Sequence, residues 1–281
     1  MTFSIVGYDP VEKEWGIAVQ SKFLGVGAVV PWAKAGIGAV ATQSYANTAY
    51  GPRALELMAQ GKSAQETLEA ILADDPDKEM RQVGIIDASG NAATFTGSAC
   101  YNWAGGVTGP HFAAQGNILV DEKTVQAMAD IFQKAEGTLA ERLLASLDAG
   151  QEAGGDSRGK QSAALYVVKE KGGYGGYNDR YIDLRVDDHP DPIKELIRIY
   201  QLQQLYFSFS KPEKIAAVEG GIKTNVTQHL KRLGYLQGAD TSDDDIYQAL
   251  TTFIHTENFE MREQKTGWID VEVLEFMKNK K

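Results

Sequence analysis

Cysteine is almost missing from this chain of 281 residues: Cys100 stands alone, so no intrachain disulfide can form and nothing points to an oxidising compartment. Histidine is scarce as well. His111, His189, His229 and His255 are far apart, and with one cysteine and no His-x-x-x-His pair the usual zinc ligand sets are lacking, so no metal is expected. There is no basic surplus. The 28 Lys and Arg face 38 Asp and Glu, a net charge of −10 at pH 7, which repels nucleic acid and anionic lipid alike. No apolar run approaches the ~20 residues that span a bilayer, and the first residues carry neither the basic patch nor the apolar core of a secretory signal. A cytoplasmic protein without nucleic-acid or membrane partners is the expectation. The Gly-rich stretches match neither Gly-x-x-x-x-Gly-Lys-Ser/Thr nor a strand-linked Gly-x-Gly-x-x-Gly, so no nucleotide is expected, nor any other cofactor. The acidic run at 240–245 lacks the glycine and glutamate of a calcium loop and suits a helix N-terminus instead.

What is present is a globular composition, 43% hydrophobic and 23% charged, long enough for one large core and a smaller unit. Apolar runs at 3–6, 15–19, 26–32 and 37–41, separated by turn residues, predict strands with tight connections. Helical spacing follows from 52 to 72, broken at Gly61-Lys62-Ser63, where Ser63 and Glu66 have the spacing of a capping box. Residues 82–87 and 92–96 flank a turn and predict a hairpin. Helices are predicted over 122–132 and 138–149, and a strand over 161–168. Strands and helices in this order suit helices covering the outer faces of two stacked sheets. The stretch 185–192 holds two prolines and three aspartates, and beyond it the pattern is almost wholly helical. The predicted domains are therefore 1–188 and 194–281.

The second residue carries the sharpest chemical signal. Removal of Met1, which a small neighbour permits, would place a hydroxyl and a free α-amine together on Thr2. An α-amine titrates near pH ~8, so part of it is neutral at physiological pH and able to take the hydroxyl's proton, giving nucleophile and base in one residue. Cys100 is a rival nucleophile, but only His111 is near in sequence to serve as its base, and a small buried thiol is the plainer role. The segment 103–109, rich in glycine, reads as a mobile lid.

The opening TFSIVGYD at 2–9, followed by WGIAVQSK at 15–22, resembles the first hairpin of the N-terminal nucleophile (Ntn) hydrolases, whose mature chains begin at the nucleophile. Gln20 and Ser21 fall at the end of the second strand. AQGNI at 114–118 and GGDSRGKQS at 154–162 are similar to the two loops that complete such sites. More broadly, residues 1–188 resemble the DUF1028 family through VPWAKAGIGAVATQ at 30–43, YGPR at 50–53, RQ at 81–82, AGQEAGGDSRGKQSA at 149–163 and DLRVDDHP at 183–190. The resemblance implies an α+β fold, a four-layer αββα Ntn-hydrolase-like sandwich, followed by a small helical domain. It implies Thr2 as catalytic residue, with the oxyanion held near Gln43 and Ser44 or by Asn117, and with Asp156, Arg158 and Ser162 orienting the amine and the substrate. Ser4, Gln20, Ser21, Ser44, Gln115 and Arg158 are the expected substrate-binding residues, Ser4 doubling as reserve nucleophile. The lysine that tunes the nucleophile in proteasome-type relatives has its nearest counterpart in Lys34, several residues late.

LKRLGY at 230–235, ENFEMR at 257–262 and WID at 268–270 resemble a peptidoglycan-binding domain sometimes fused to this family. Three readings stay open on the sequence: an amidohydrolase acting on a small-molecule or peptide-like amide, a catalytically silent scaffold binding a metabolite or a peptidoglycan fragment, and a cyclohydrolase-type enzyme without a covalent nucleophile. Assembly into a homo-oligomer is compatible with each.

Overall fold

A computed structural model describes residues 2–280, which divide after Arg198 into two compact units. The first opens with β1 (Thr2–Asp9), β2 (Glu14–Ser21), β3 (Pro31–Lys34) and β4 (Gly38–Gln43), then α1 (Tyr50–Ala59) and α2 (Ala64–Ala73). It continues with β5 (Gln82–Asp87), β6 (Ala92–Thr96), β7 (Gly105–Gly109), β8 (Phe112–Asn117), α3 (Lys123–Lys134), α4 (Leu139–Glu152), β9 (Ser162–Val168) and β10 (Arg180–Val186). Six strands form one sheet in the order β10-β9-β2-β1-β8-β7 and four form another, β3-β4-β5-β6, all neighbours antiparallel. Helices α3 and α4 pack on β1, β2 and β8, while α1 and α2 pack on β4, β5 and β6. This is the four-layer αββα sandwich expected.

The strand period of two explains the layering. In β1, Phe3 and Ile5 face the helices; Phe3 approaches the backbone of Gly150 in α4. Thr2, Ser4, Val6 and Tyr8 face the opposing sheet. Cross-strand partners share a face, so the six-stranded sheet presents successive rows: Ser21, Thr2 and Asn117, then Val19, Ser4 and Gln115, then Ile17, Val6 and Ala113. The facing rows are Thr96, Gln82 and Gln43, then Thr94, Gly84 and Ala41. One end of the space between the sheets is therefore polar. The other end closes on a dry core of Val6, Tyr8, Trp15, Ile17, Val19, Ala39, Ala41 and Ile86, where each fully buried large side chain contributes about 1.5–3 kcal/mol.

Three local expectations are corrected. Residues 26–28 form a 3-10 turn, because the Ser162 hydroxyl takes the Val26 N–H at 3.1 Å and Val26 O takes Val29 and Val30 N–H, leaving only 31–34 extended. Residues 114–118 are no loop: up to Asn117 they belong to β8, buried and paired on both sides. Residues 105–109 are edge strand β7, whose pairing to β8 removes them from any lid. The capping box at Ser63 and Glu66 forms, and a second joins Thr138 and Glu141 at the start of α4.

The second unit follows α5 (Pro192–Phe207), which runs across the division, and holds β11 (Ile215–Ala217), α6 (Gly220–Arg232), α7 (Asp243–Thr256), β12 (Trp268–Asp270) and α8 (Val271–Asn279). Val226, Leu230, Leu250, Phe253, Phe259 and Met277 are part of its own core. Arg262 is buried there, its Nη1 shared by Asp270, at 2.7 Å, and Glu272, its Nε on the Leu205 carbonyl and its Nη2 on the Gln204 carbonyl and Ser208 Oγ. Among the described residues no helix is long and apolar enough to cross a membrane.

Candidate active site

The polar end of the sandwich opens into a cleft of about 630 Å³. Thr2, the first residue of β1, lies in its wall with Ser21, Gln43, Ser44, Asn117 and Arg158. Thr2 is fixed on both flanks because β1 is a central strand, paired to Ser21 on one side and Asn117 on the other. Its Oγ1 is 3.0 Å from Ser21 Oγ. Removal of Met1, on which the free amine depends, lies outside the described residues.

Behind Thr2 a buried chain of amides joins the two sheets. Gln115 Nε2 donates to Ser4 Oγ at 2.7 Å, and Ser4 Oγ donates to Gln43 Oε1 at 2.7 Å. Gln43 Nε2 donates to Gln82 Oε1 at 2.8 Å and to the Thr2 carbonyl at 3.3 Å, while Asn117 Nδ2 donates to the same Gln82 Oε1 at 2.9 Å. Gln82 sets the direction of this chain. Its Nε2 faces the carbonyls of Gly116 and Gly105, which only accept, so its Oε1 must face Gln43 and Asn117, which must donate. Consequently Gln43 has spent its N–H groups inside the protein, whereas Asn117, which lines the cleft, gives one hydrogen of its Nδ2 to Gln82. Gln82 stands out in the sequence only as half of the RQ pair at 81–82, with no role attached to it. Its role follows only from the cross-strand pairing to Gln43.

The other predicted residues divide by position. Ser4 and Gln115 are fully buried, bonded internally and absent from the cleft wall. Gln20 is the cross-strand partner of Phe3 and so shares the helix-facing side of the sheet, away from Ser21; both of its amide atoms are buried without a partner among the described residues. Asp156 is buried, accepting Lys22 N–H at 2.9 Å and Arg158 N–H at 2.9 Å, and so ties the 154–162 loop to the end of β2. Ser162 donates to the Phe23 carbonyl and accepts from Val26, so it does not line the cleft itself but holds the segment after β2 that does. Lys34 lies at the far end of β3, opposite Gly38. Cys100 Sγ is buried on the Arg81 carbonyl at 3.3 Å, while His111 packs beside Tyr8 at the other end of β8, so thiol and imidazole form no pair.

Backbone strain gathers at the same place. Ser44, Tyr45 and Ile118 all line the cleft with φ of 55°, 37° and 51°, a region costing non-glycine residues about 1–3 kcal/mol each. Arg81 helps hold this turn, donating to the Tyr45 carbonyl while its Nε pairs with Asp75 at 3.0 Å. Arg81 and the Tyr50 hydroxyl, 2.6 Å away, keep the Asp75 carboxyl far below the usual carboxylate range. Burial and that same carboxylate push the Tyr50 hydroxyl well up. Among the described residues no group of three or more His, Cys, Asp or Glu is arranged to hold a metal ion.

Residues 2–196 match the model of a "Family of unknown function (DUF1028)" and residues 206–277 that of a "Putative peptidoglycan binding domain". Among solved structures, the crystal structure of a protein from Silicibacter pomeroyi, described under the DUF1028 family model, is 32% identical with a TM-score of 0.66, over 72% of this chain and 86% of that one. Anbu, an ancestral beta-subunit from Yersinia bercovieri, matches at 11% identity with a TM-score of 0.33, over 71% of this chain and 93% of that one. No curated protein matches.

Proposed function

This chain belongs to the DUF1028 family, and from that premise we propose that it is an amidohydrolase whose N-terminal nucleophile is Thr2, exposed by removal of Met1. The observation that carries the reading is the seat of Thr2: first residue of a central strand, its hydroxyl in the cleft wall and held by Ser21 at 3.0 Å. In the proposed reaction the Thr2 amine takes the Oγ1 proton as Oγ1 attacks the amide carbonyl. The oxyanion accepts the second hydrogen of Asn117 Nδ2, a contribution of roughly 3 kcal/mol for one such donor. The amine then passes its proton to the leaving nitrogen, which departs and leaves an ester on Thr2. Water, deprotonated by the same amine, attacks the ester and releases the acid. Gln43 acts through position, holding the Thr2 carbonyl and thereby the backbone beneath the nucleophile.

The test joins mass and turnover. Protein made without an N-terminal tag should have the mass of a chain lacking Met1. Against a panel of small amides, Thr2→Ala should lose at least ~10³-fold in kcat while Thr2→Ser keeps measurable turnover. Retained Met1 in an active preparation, or full activity of Thr2→Ala, would remove Thr2 from the chemistry.

A further inference from the structure

The cleft also indicates what kind of amide it takes, an inference that rests on the hydrolase reading for the bond but not for the binding. Two arginines, Arg81 and Arg158, line the cleft and no Asp or Glu does, in a chain that carries ten more acidic than basic residues. Arg81 is committed to Asp75 and the Tyr45 carbonyl. Arg158 is the more exposed of the two. Its backbone N–H is anchored on Asp156 Oδ1, its Nη2 stands 3.4 Å from Asp156 Oδ2, and its side chain is 46% exposed. Asp156 is completed by the Lys22 N–H at 2.9 Å, so it steadies the arginine from outside the wall.

The remaining wall is apolar. Phe23, Tyr45 and Tyr101 are 50%, 58% and 58% exposed at the cleft, beside Val26 and Val30. Large rings left in water next to a cleft mark a surface that something covers. The volume suits a ligand of a few tens of heavy atoms at most.

We infer that the substrate is a small amide of the N-acyl amino acid type, with a free carboxylate and an apolar or aromatic group. The guanidinium of Arg158 receives the carboxylate in a two-pronged geometry that an ammonium cannot reproduce. Phe23, Tyr45 and Tyr101 cover the apolar group.

Binding is tested apart from turnover by calorimetric titration of Thr2→Ala with N-acetyl-L-phenylalanine and with N-acetyl-L-phenylalaninamide, the same molecule with its carboxylate replaced by a neutral carboxamide. The acid should bind at least tenfold more tightly, added salt should narrow the gap, and Arg158→Gln in the same background should abolish it. Equal affinity, a preference for the neutral amide, a preference that survives Arg158→Gln, or no binding of either probe would overturn the inference. Incubating wild-type protein with the acid and assaying acetate judges the other reading separately: charge-selective binding without hydrolysis by mature wild type would leave the ligand class standing and sink the hydrolase.

Discussion

Thr2 and Ser4 carry the same functional group, two residues apart on one face of β1, yet their surroundings give them opposite tasks. Thr2 borders the cleft; Ser4 has no exposed surface, receives Gln115 and gives its only hydrogen to Gln43. A hydroxyl so engaged, with no base beside it, serves as a strut. Ser4→Ala should therefore lower stability by about 1–3 kcal/mol, the cost of stranding a buried amide oxygen and N–H, as measured by chemical denaturation. Turnover per folded molecule should stay within a few-fold of wild type, and a loss like that of Thr2→Ala would exchange the two roles. Thr2 was legible in the sequence because its chemistry depends on being second in the chain. The tasks of Ser4 and Gln115 were not, because burial and amide direction are settled by Gln82, which the sequence places far from all of them.

At the scale of elements, periodicity read well where one face decided the outcome and poorly where a single side chain did. The hairpin of β5 and β6 and the two helix pairs answer to apolar spacing, and the capping boxes to the polar pairs Ser63 with Glu66 and Thr138 with Glu141. The turn at 26–28 answers to one hydroxyl, Ser162, from a strand more than a hundred residues away. A similar long tie joins the α2–β5 connection to the cleft through Asp75, Arg81 and Tyr50. Because the folded state holds the Asp75 carboxyl below its unfolded value of ~3.9, the stabilisation is complete above that pH and is lost as pH falls through the lower folded value. Denaturation series from pH 7 to pH 2 should show wild-type stability dropping across the acid limb. Asp75→Asn should start lower at pH 7 and lose less on acidification; parallel curves would remove Asp75 as a source of the slope.

For the whole molecule, the division near residue 198 separates two hydrophobic cores, and the second holds Phe253, Phe259 and Met277, with Arg262 buried against Asp270 in the same unit. A fragment starting at Pro192, which keeps α5 intact, should unfold in one cooperative transition by circular dichroism; a non-cooperative melt would mean that this unit folds only as part of the full chain. The larger unit imposes a subtler rule. Its sheets alternate strictly between a helix side and a cleft side, and Thr2 stands in the cleft only because an odd number of residues separates it from Val6, which is locked in the dry core. Insertions and deletions in the first strand thus act through parity and through position. A change of one residue ahead of Val6 turns the leading side chain toward the helices, whereas a change of two restores the side it faces but carries it about 7 Å along the strand, past the row of Ser21 and Asn117, so the start of this strand tolerates no change of length at all.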